Sequence, residues 1–192
     1  MTDQHTIRQR INAERKALDA DTLSRHADAC AAQVKTLIPD SALLKVAAYR
    51  AVRGEMDPKP AIEWLWAQGH HVYLPIVDGE DMRFARWHAD QPLVKRGLGL
   101  YEPDVPRDEW LHGMDLDVIL APLVAFDRRC QRIGMGGGFY DRTFEPRRQG
   151  IATPTLIGIA HALQETPQIE AQDWDVPLDY IVTEAEIIQR PL

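Results

Sequence analysis

The residues with the greatest chemical potential crowd into one stretch, 122–144, PLVAFDRRCQRIGMGGGFYDRTF. Gly134, Gly136, Gly137 and Gly138 stand almost together, and Phe139, Tyr140, Asp141 and Arg142 follow directly. Glycine tolerates positive φ and close backbone approach, so such a cluster can turn several N–H groups on one point. A helix starting near Phe139 would add its N-terminal dipole and favour an anion there. Arg128, Arg129, Arg132, Arg142, Arg147 and Arg148 lie close by against only Asp141 and Glu145, in a chain whose net charge is −7. A local excess of cations on an acidic protein suggests a phosphate or carboxylate ligand. The bland alternative is a flexible glycine hairpin with solvated arginines, and the glycines alone leave it open.

The loop lacks the Lys-Ser/Thr pair of a Walker A motif, and it does not follow the first strand as a dinucleotide fingerprint would. What remains is a phosphate cradle of another design, with Arg132 at its entrance and Asp141 at its exit. A carboxylate beside a phosphate repels it unless a cation intervenes, and magnesium is the usual bridge. Asp141 therefore reads either as a magnesium ligand or as a helix-start residue favoured by the dipole. Glu55 is the second carboxylate of interest, just past the first expected strand. It reads either as a ligand-binding group or as a solvated loop carboxylate.

The elements that must position these residues alternate in type. Ile7, Ile11 and Leu18 recur at helical spacing, with Arg8, Arg10, Arg15 and Lys16 expected on a solvated face. Asp21 is expected to cap a second helix that Pro39 ends. Leu44 to Tyr49 reads as the first strand, followed by a helix capped by Asp57 with Pro58 at its first position and closed by Gly69. Val72 to Val77 is the next strand, giving a parallel strand–helix–strand unit whose ligands bind beyond the strand C-termini. Met82 to Trp87 reads as an antiparallel edge, and 90–112 as a long surface excursion. Val118 to Ala121 feeds the glycine loop, a helix is expected from Phe139 to about Arg148, and Thr155–Ala160 and Tyr180–Thr183 are the last strands. The expectation is one domain over 1–192, α/β in class.

Composition narrows the function. No apolar run is long enough to span a membrane, and Met1–His5 begins no signal peptide. Cys30 and Cys130 form no metal or redox spacing, which with the missing signal points to the cytoplasm. The acidic charge argues against nucleic acid. The seven histidines show no HxxxH or HExxH pair, and neither serine lies in a nucleophile elbow.

Three segments together, Pro122 to Asp127, Arg132 to Arg142 and Trp174-Asp-Val-Pro-Leu-Asp179, resemble the 5-formyltetrahydrofolate cyclo-ligase family. Ile7-Arg8, Arg15 to Leu18, Tyr49 through Gly54–Asp57, Leu74-Pro75, Met82 and Glu102-Pro103 extend the likeness in the same order. The resemblance implies a three-layer α/β/α fold with a mostly parallel sheet. It also implies an ATP- and magnesium-dependent monomer that converts 5-formyltetrahydrofolate to 5,10-methenyltetrahydrofolate through a phosphorylated formyl group. By the same resemblance, Arg8, Arg132, Gly134, Met135, Gly136, Gly137, Gly138, Phe139 and Tyr140 hold ATP. Arg132 and Tyr140 are catalytic, and Asp141 and Asp179 bind the metal. Tyr49, Arg50, Glu55, Met82, Tyr101, Met135 and Phe139 line the folate pocket, with Glu55 on the pterin edge. Where the family often has lysines, this chain has Gln4 and Gly137, which shifts phosphate charge onto Arg8, Arg132, backbone N–H groups and magnesium. The rival readings are a sugar-phosphate isomerase or acyl-transfer enzyme using Glu55 as base, and a nucleotide- or folate-sensing module without turnover.

Overall fold

The computed structural model of the protein describes residues 3–39, 42–96 and 101–191. The elements in chain order are α1 (Gln4–Lys16), α2 (Ala20–Leu37), β1 (Lys45–Ala47), α3 (Lys59–Ala67), β2 (His71–Asp78), β3 (Asp81–Trp87), β4 (Leu93–Lys95) and β5 (Tyr101–Pro103). There follow β6 (Val118–Pro122), β7 (Ala125–Phe126), β8 (Arg132–Ile133), α4 (Phe139–Thr143), β9 (Thr155–Ile159), β10 (Tyr180–Val182) and β11 (Ile187–Gln189). One seven-stranded sheet runs in the order β11-β10-β9-β6-β1-β2-β3. Its five middle strands are parallel, and β3 and β11 close the two edges antiparallel.

Central parallel strands are buried on both faces and so carry nearly continuous apolar sequence, as Val118-Ile119-Leu120-Ala121 does. Their alternate side chains feed two cores. Val46, Val72, Val118, Leu120, Ile157 and Val182 face α2 and α3. Ala47, Tyr73, Ile119, Ala121, Leu156 and Ile181 pack instead with Phe84, Phe126, Phe144 and Leu178. The α/β class and the three layers stand, but the third layer is thin, built from α4, a 3-10 turn and irregular chain. Ile7 and Ile11 of α1 pack on Val124, Ala125 and Ile133 beside it.

Several boundaries differ from the sequence reading. Asp19, not Asp21, caps α2, its Oδ1 accepting from Thr22 N at 2.7 Å. Pro58 sits one place before α3, while Asp57 Oδ1 accepts from Lys59 N at 2.9 Å. The helix after the glycines is only Phe139–Thr143, because Pro146 has no N–H for the Arg142 carbonyl and a 3-10 turn, Glu145–Gln149, follows. Tyr180–Val182 is not the last strand, since the chain turns back as β11. The excursion at 90–112 contains the β4–β5 pair, with 97–100 outside the described residues. No helix among the described residues is long and apolar enough to cross a membrane.

Asp127, fully buried at the β7–β8 turn, is a structural knot in the stretch that leads to the glycines. Its oxygens accept from the backbone N–H groups of Arg129 (2.9 Å), Gln131 (3.1 Å) and Ile169 (3.0 Å). Asp127→Ala leaves these donors without their acceptor and should cost about 3 kcal/mol. Urea unfolding with an unchanged slope and a lowered midpoint is the expected reading; an unmoved midpoint would refute this role.

Candidate active site

Chain order along the sheet reverses beside β1: β2 is added on one side, β6 on the other. Ligands of open α/β sheets bind at such a switch point, beyond the strand C-termini. A cleft of about 760 Å³ opens there, between the chain leaving β1 and the chain leaving β6. Arg8, Tyr49, Arg50, Glu55, Met82, Tyr101 and the whole run Arg132–Asp141 line it.

The first wall follows β1. Tyr49 is buried and donates its hydroxyl to Met56 O at 2.5 Å, which fixes the loop behind it. Arg50 lies over the Tyr101 ring, 5.0 Å from its centroid, and so joins β5 to this wall. Glu55 Oε2 accepts from Val52 N at 3.0 Å. Gly54 is obligatory in this turn: its φ is +74°, and a Cβ there would stand 2.9 Å from Arg15 O. Burial raises the Glu55 carboxyl above the ordinary range, and the Val52 amide, Arg15 and Arg53 offset this only in part.

Arg15 is the main surprise of this wall. The sequence reading puts it on a solvated face, yet it is 1% exposed, with Nη2 donating to Asn12 Oδ1 at 2.6 Å. Among the described residues its Nε and Nη1 have no hydrogen-bond partner. The signal was present in the spacing, because Ile7, Ile11 and Arg15 form one i, i+4 ladder on the buried side of α1.

The second wall is the glycine loop. Gly136 and Gly138 adopt φ of +99° and +64°, the backbone conformation the glycine spacing anticipates. The loop is held from outside: Arg8 Nε donates to Gly134 O at 2.8 Å, and Arg142 donates to Gly137 O and Glu80 O, each at 3.0 Å. Arg132 donates to Asp141 Oδ1 at 2.7 Å and to Val176 O, and Val176 N reaches the same Oδ1 at 3.1 Å. Burial pushes the Tyr140 phenol well up, so it stays protonated and its hydroxyl can donate a hydrogen bond. With only five residues, α4 brings little helix dipole to this wall.

The arginine excess counted along the chain is largely neutralised in space. Arg128 pairs with Glu186 (2.8 Å) and Glu165 (3.2 Å), and Arg129 with Asp127 (3.0 Å). Arg147 grips Asp179 with bonds of 2.6 and 2.8 Å. Asp179 also accepts from Leu156 N at 2.8 Å and does not line the cleft, so the structure does not bring it to Asp141. The cleft instead gains Trp174 and Asp175, with Trp174 62% exposed at the rim. Both belong to the Trp174–Asp179 segment, but no role followed from their types alone. Among the described residues Asp141 Oδ2 accepts no hydrogen bond. A free carboxylate oxygen beside the glycine loop, with Asp175 on the same cleft, is a donor set that fits magnesium.

Residues 1–184 match the model of the 5-formyltetrahydrofolate cyclo-ligase family. The chain is 35% identical over 180 residues to 5-formyltetrahydrofolate cyclo-ligase of Escherichia coli K12, covering 92% of this chain and 98% of that protein. It is 34% identical to the enzyme of that name from Haemophilus influenzae, covering 92% and 91%. The solved structure of 5,10-methenyltetrahydrofolate synthetase from Aquifex aeolicus is similar with a TM-score of 0.81 at 26% identity, over 98% of this chain and 95% of that one.

Proposed function

This chain belongs to the 5-formyltetrahydrofolate cyclo-ligase family, and from that premise we propose that it uses ATP and magnesium to convert 5-formyltetrahydrofolate to 5,10-methenyltetrahydrofolate. The observation that carries the proposal is the two-walled cleft at the switch point, with the half-buried Glu55 on one wall and the glycine loop on the other. A phosphoryl transfer needs positioning and charge neutralisation more than a protein nucleophile, and the cleft offers that combination.

In this reading Glu55 accepts hydrogen bonds from the amino-pyrimidine edge of the pterin. Tyr49, Arg50, Met82, Tyr101, Met135 and Phe139 enclose the ring system. Arg8, Arg132 and residues 134–140 hold the ATP phosphates. The formyl oxygen attacks the γ-phosphorus and ADP departs; the 10-nitrogen then attacks the activated carbon, and phosphate leaves with the former formyl oxygen. Tyr140 donates a hydrogen bond to a phosphate oxygen, and Arg132 both balances its charge and holds Asp141 in place. Asp141, with Asp175 nearby, would hold magnesium, which supplies charge neutralisation between carboxylate and phosphate. We place the protein in the cytoplasm as a monomer, with no nucleic-acid or membrane partner. Methenyl absorbance rising only with 5-formyltetrahydrofolate, ATP and magnesium together is the expected result. Isomerisation of a sugar phosphate without ATP, or folate and nucleotide binding without product, would replace the proposal by one of its rivals.

A further inference from the structure

A second cluster lies at the same end of the sheet, outside the cleft. His26 comes from α2, His161 follows β9, and Glu184 follows β10. His26 Nδ1 stands 3.0 Å from His161 Nδ1 and 3.5 Å from Glu184 Oε1. We propose that His26 Nδ1, His161 Nδ1 and Glu184 Oε1 form a binding site for a divalent transition metal of the zinc class. A tetrahedral ion with zinc–nitrogen bonds of about 2.0–2.1 Å needs ligand atoms about 3.3 Å apart. The His26–His161 and His26–Glu184 spacings lie on either side of that value, and all three ligand atoms lie within 4.8 Å of one another.

The surroundings prepare these atoms as ligands. His161 is fully buried, and its Nε2 lies 3.2 Å from Gly54 O. That carbonyl can only accept, so Nε2 carries the ring proton and Nδ1 presents a bare lone pair to His26. A histidine that donates its far N–H to a backbone carbonyl is the usual outer support of a metal ligand. Glu184 is oriented in the same manner, its Oε2 accepting from Ala162 N at 2.9 Å while Oε1 turns to His26. The Arg15 guanidinium also acts on His161, but more weakly than the Glu184 carboxylate. Cys30, one turn along α2 from His26, is no thiolate: burial pushes its pKa up to about 12, and its Sγ donates to Val182 O. The donor set is therefore two imidazoles and one carboxylate, with a fourth position for water. Such a set suits zinc, cobalt or nickel and not magnesium, which prefers oxygen donors. His26 and Glu184 side chains are 20% and 18% exposed, which gives an ion a path from solvent. Since His161 holds Gly54, the ion would also brace the turn that presents Glu55.

The test uses chelator-treated full-length protein titrated with cobalt(II), then with zinc(II). One equivalent of cobalt should bind with the visible spectrum of a tetrahedral site, zinc should displace it, and the melting temperature should rise by about 5 °C. His26→Ala and Glu184→Gln should each weaken binding about 10-fold or more. Absence of stoichiometric binding overturns the proposal, because the three residues then share only a hydrogen-bonded proton. Undiminished affinity in either folded variant overturns it equally. If a variant does not fold, anomalous scattering from zinc-soaked wild-type crystals decides: a peak between His26, His161 and Glu184 supports the site, and a peak only elsewhere sinks it.

Discussion

Asp141→Asn is expected to fold and to lose about 100-fold in kcat/KM, roughly 2.7 kcal/mol of transition-state stabilisation. The fold should survive because an asparagine Oδ1 can still accept from Arg132 Nη2 and Val176 N, the two donors now at 2.7 and 3.1 Å. What disappears is the negative charge and the second oxygen, the features an intervening magnesium would use. Arg132 is nearly buried in this pair, at 7% side-chain exposure, so facing a neutral amide should lower stability by about 1 kcal/mol. Arg132→Ala should lower activity through the same pair, and the double variant should lose less than the two single losses combined. Initial rates across a magnesium titration, alongside thermal unfolding, separate the contributions. Near-normal rates at every magnesium concentration would make Asp141 only a brace for Arg132.

The sheet was legible because buried parallel strands write themselves as short apolar runs, and the strand from Val118 and the parallel β1–β2 pair stand where their sequences place them. The glycine loop was legible too, since Gly136 and Gly138 need positive φ that other residues resist. Charge was the poorer guide. Arg128 and Arg147 look like part of a phosphate site along the chain, but their partners Glu186 and Asp179 arrive through the fold. Pairing of that kind depends on tertiary proximity, which spacing does not encode. The same limit hid His26 and His161, which are 135 positions apart in sequence and 3.0 Å apart in space. Arg15 is a different case, because its i, i+4 spacing from Ile7 and Ile11 does mark the buried side of α1. A charged residue on the apolar side of α1 reads as a surface group until the turn at Gly54 is seen packed over its backbone.

Glu55→Gln is expected to separate the two ligands. Folate binding should weaken by roughly 1–3 kcal/mol, about 5- to 150-fold, while a non-hydrolysable ATP analogue binds as before. An ionised carboxylate accepts two hydrogen bonds from the ring N–H and exocyclic amine of a pterin; an amide turns an NH₂ toward one of those donors. ATP binding is spared because the glycine loop is held by Arg8, Arg142 and Arg132, none of which hydrogen-bonds to Glu55. The raised pKa of this half-buried carboxyl adds a signature that a merely damaged fold would not give. With its folded pKa above the unfolded value, Glu55 weakens the native state at neutral pH, and that loss is recovered as pH falls through the raised pKa. Removing the charge should therefore hold or raise the neutral-pH melting temperature, even as the substrate is lost. In the wild type, folate binds the ionised form, so affinity should decline as pH drops through the free-protein pKa, with a proton released on binding in that range. The variant should show neither the decline nor the proton. Calorimetric titration in two buffers of different ionisation enthalpy reads both quantities. Equal weakening of folate and nucleotide would mean a disturbed fold, and unchanged folate affinity would leave Glu55 as no more than the carboxylate that closes its own turn on Val52.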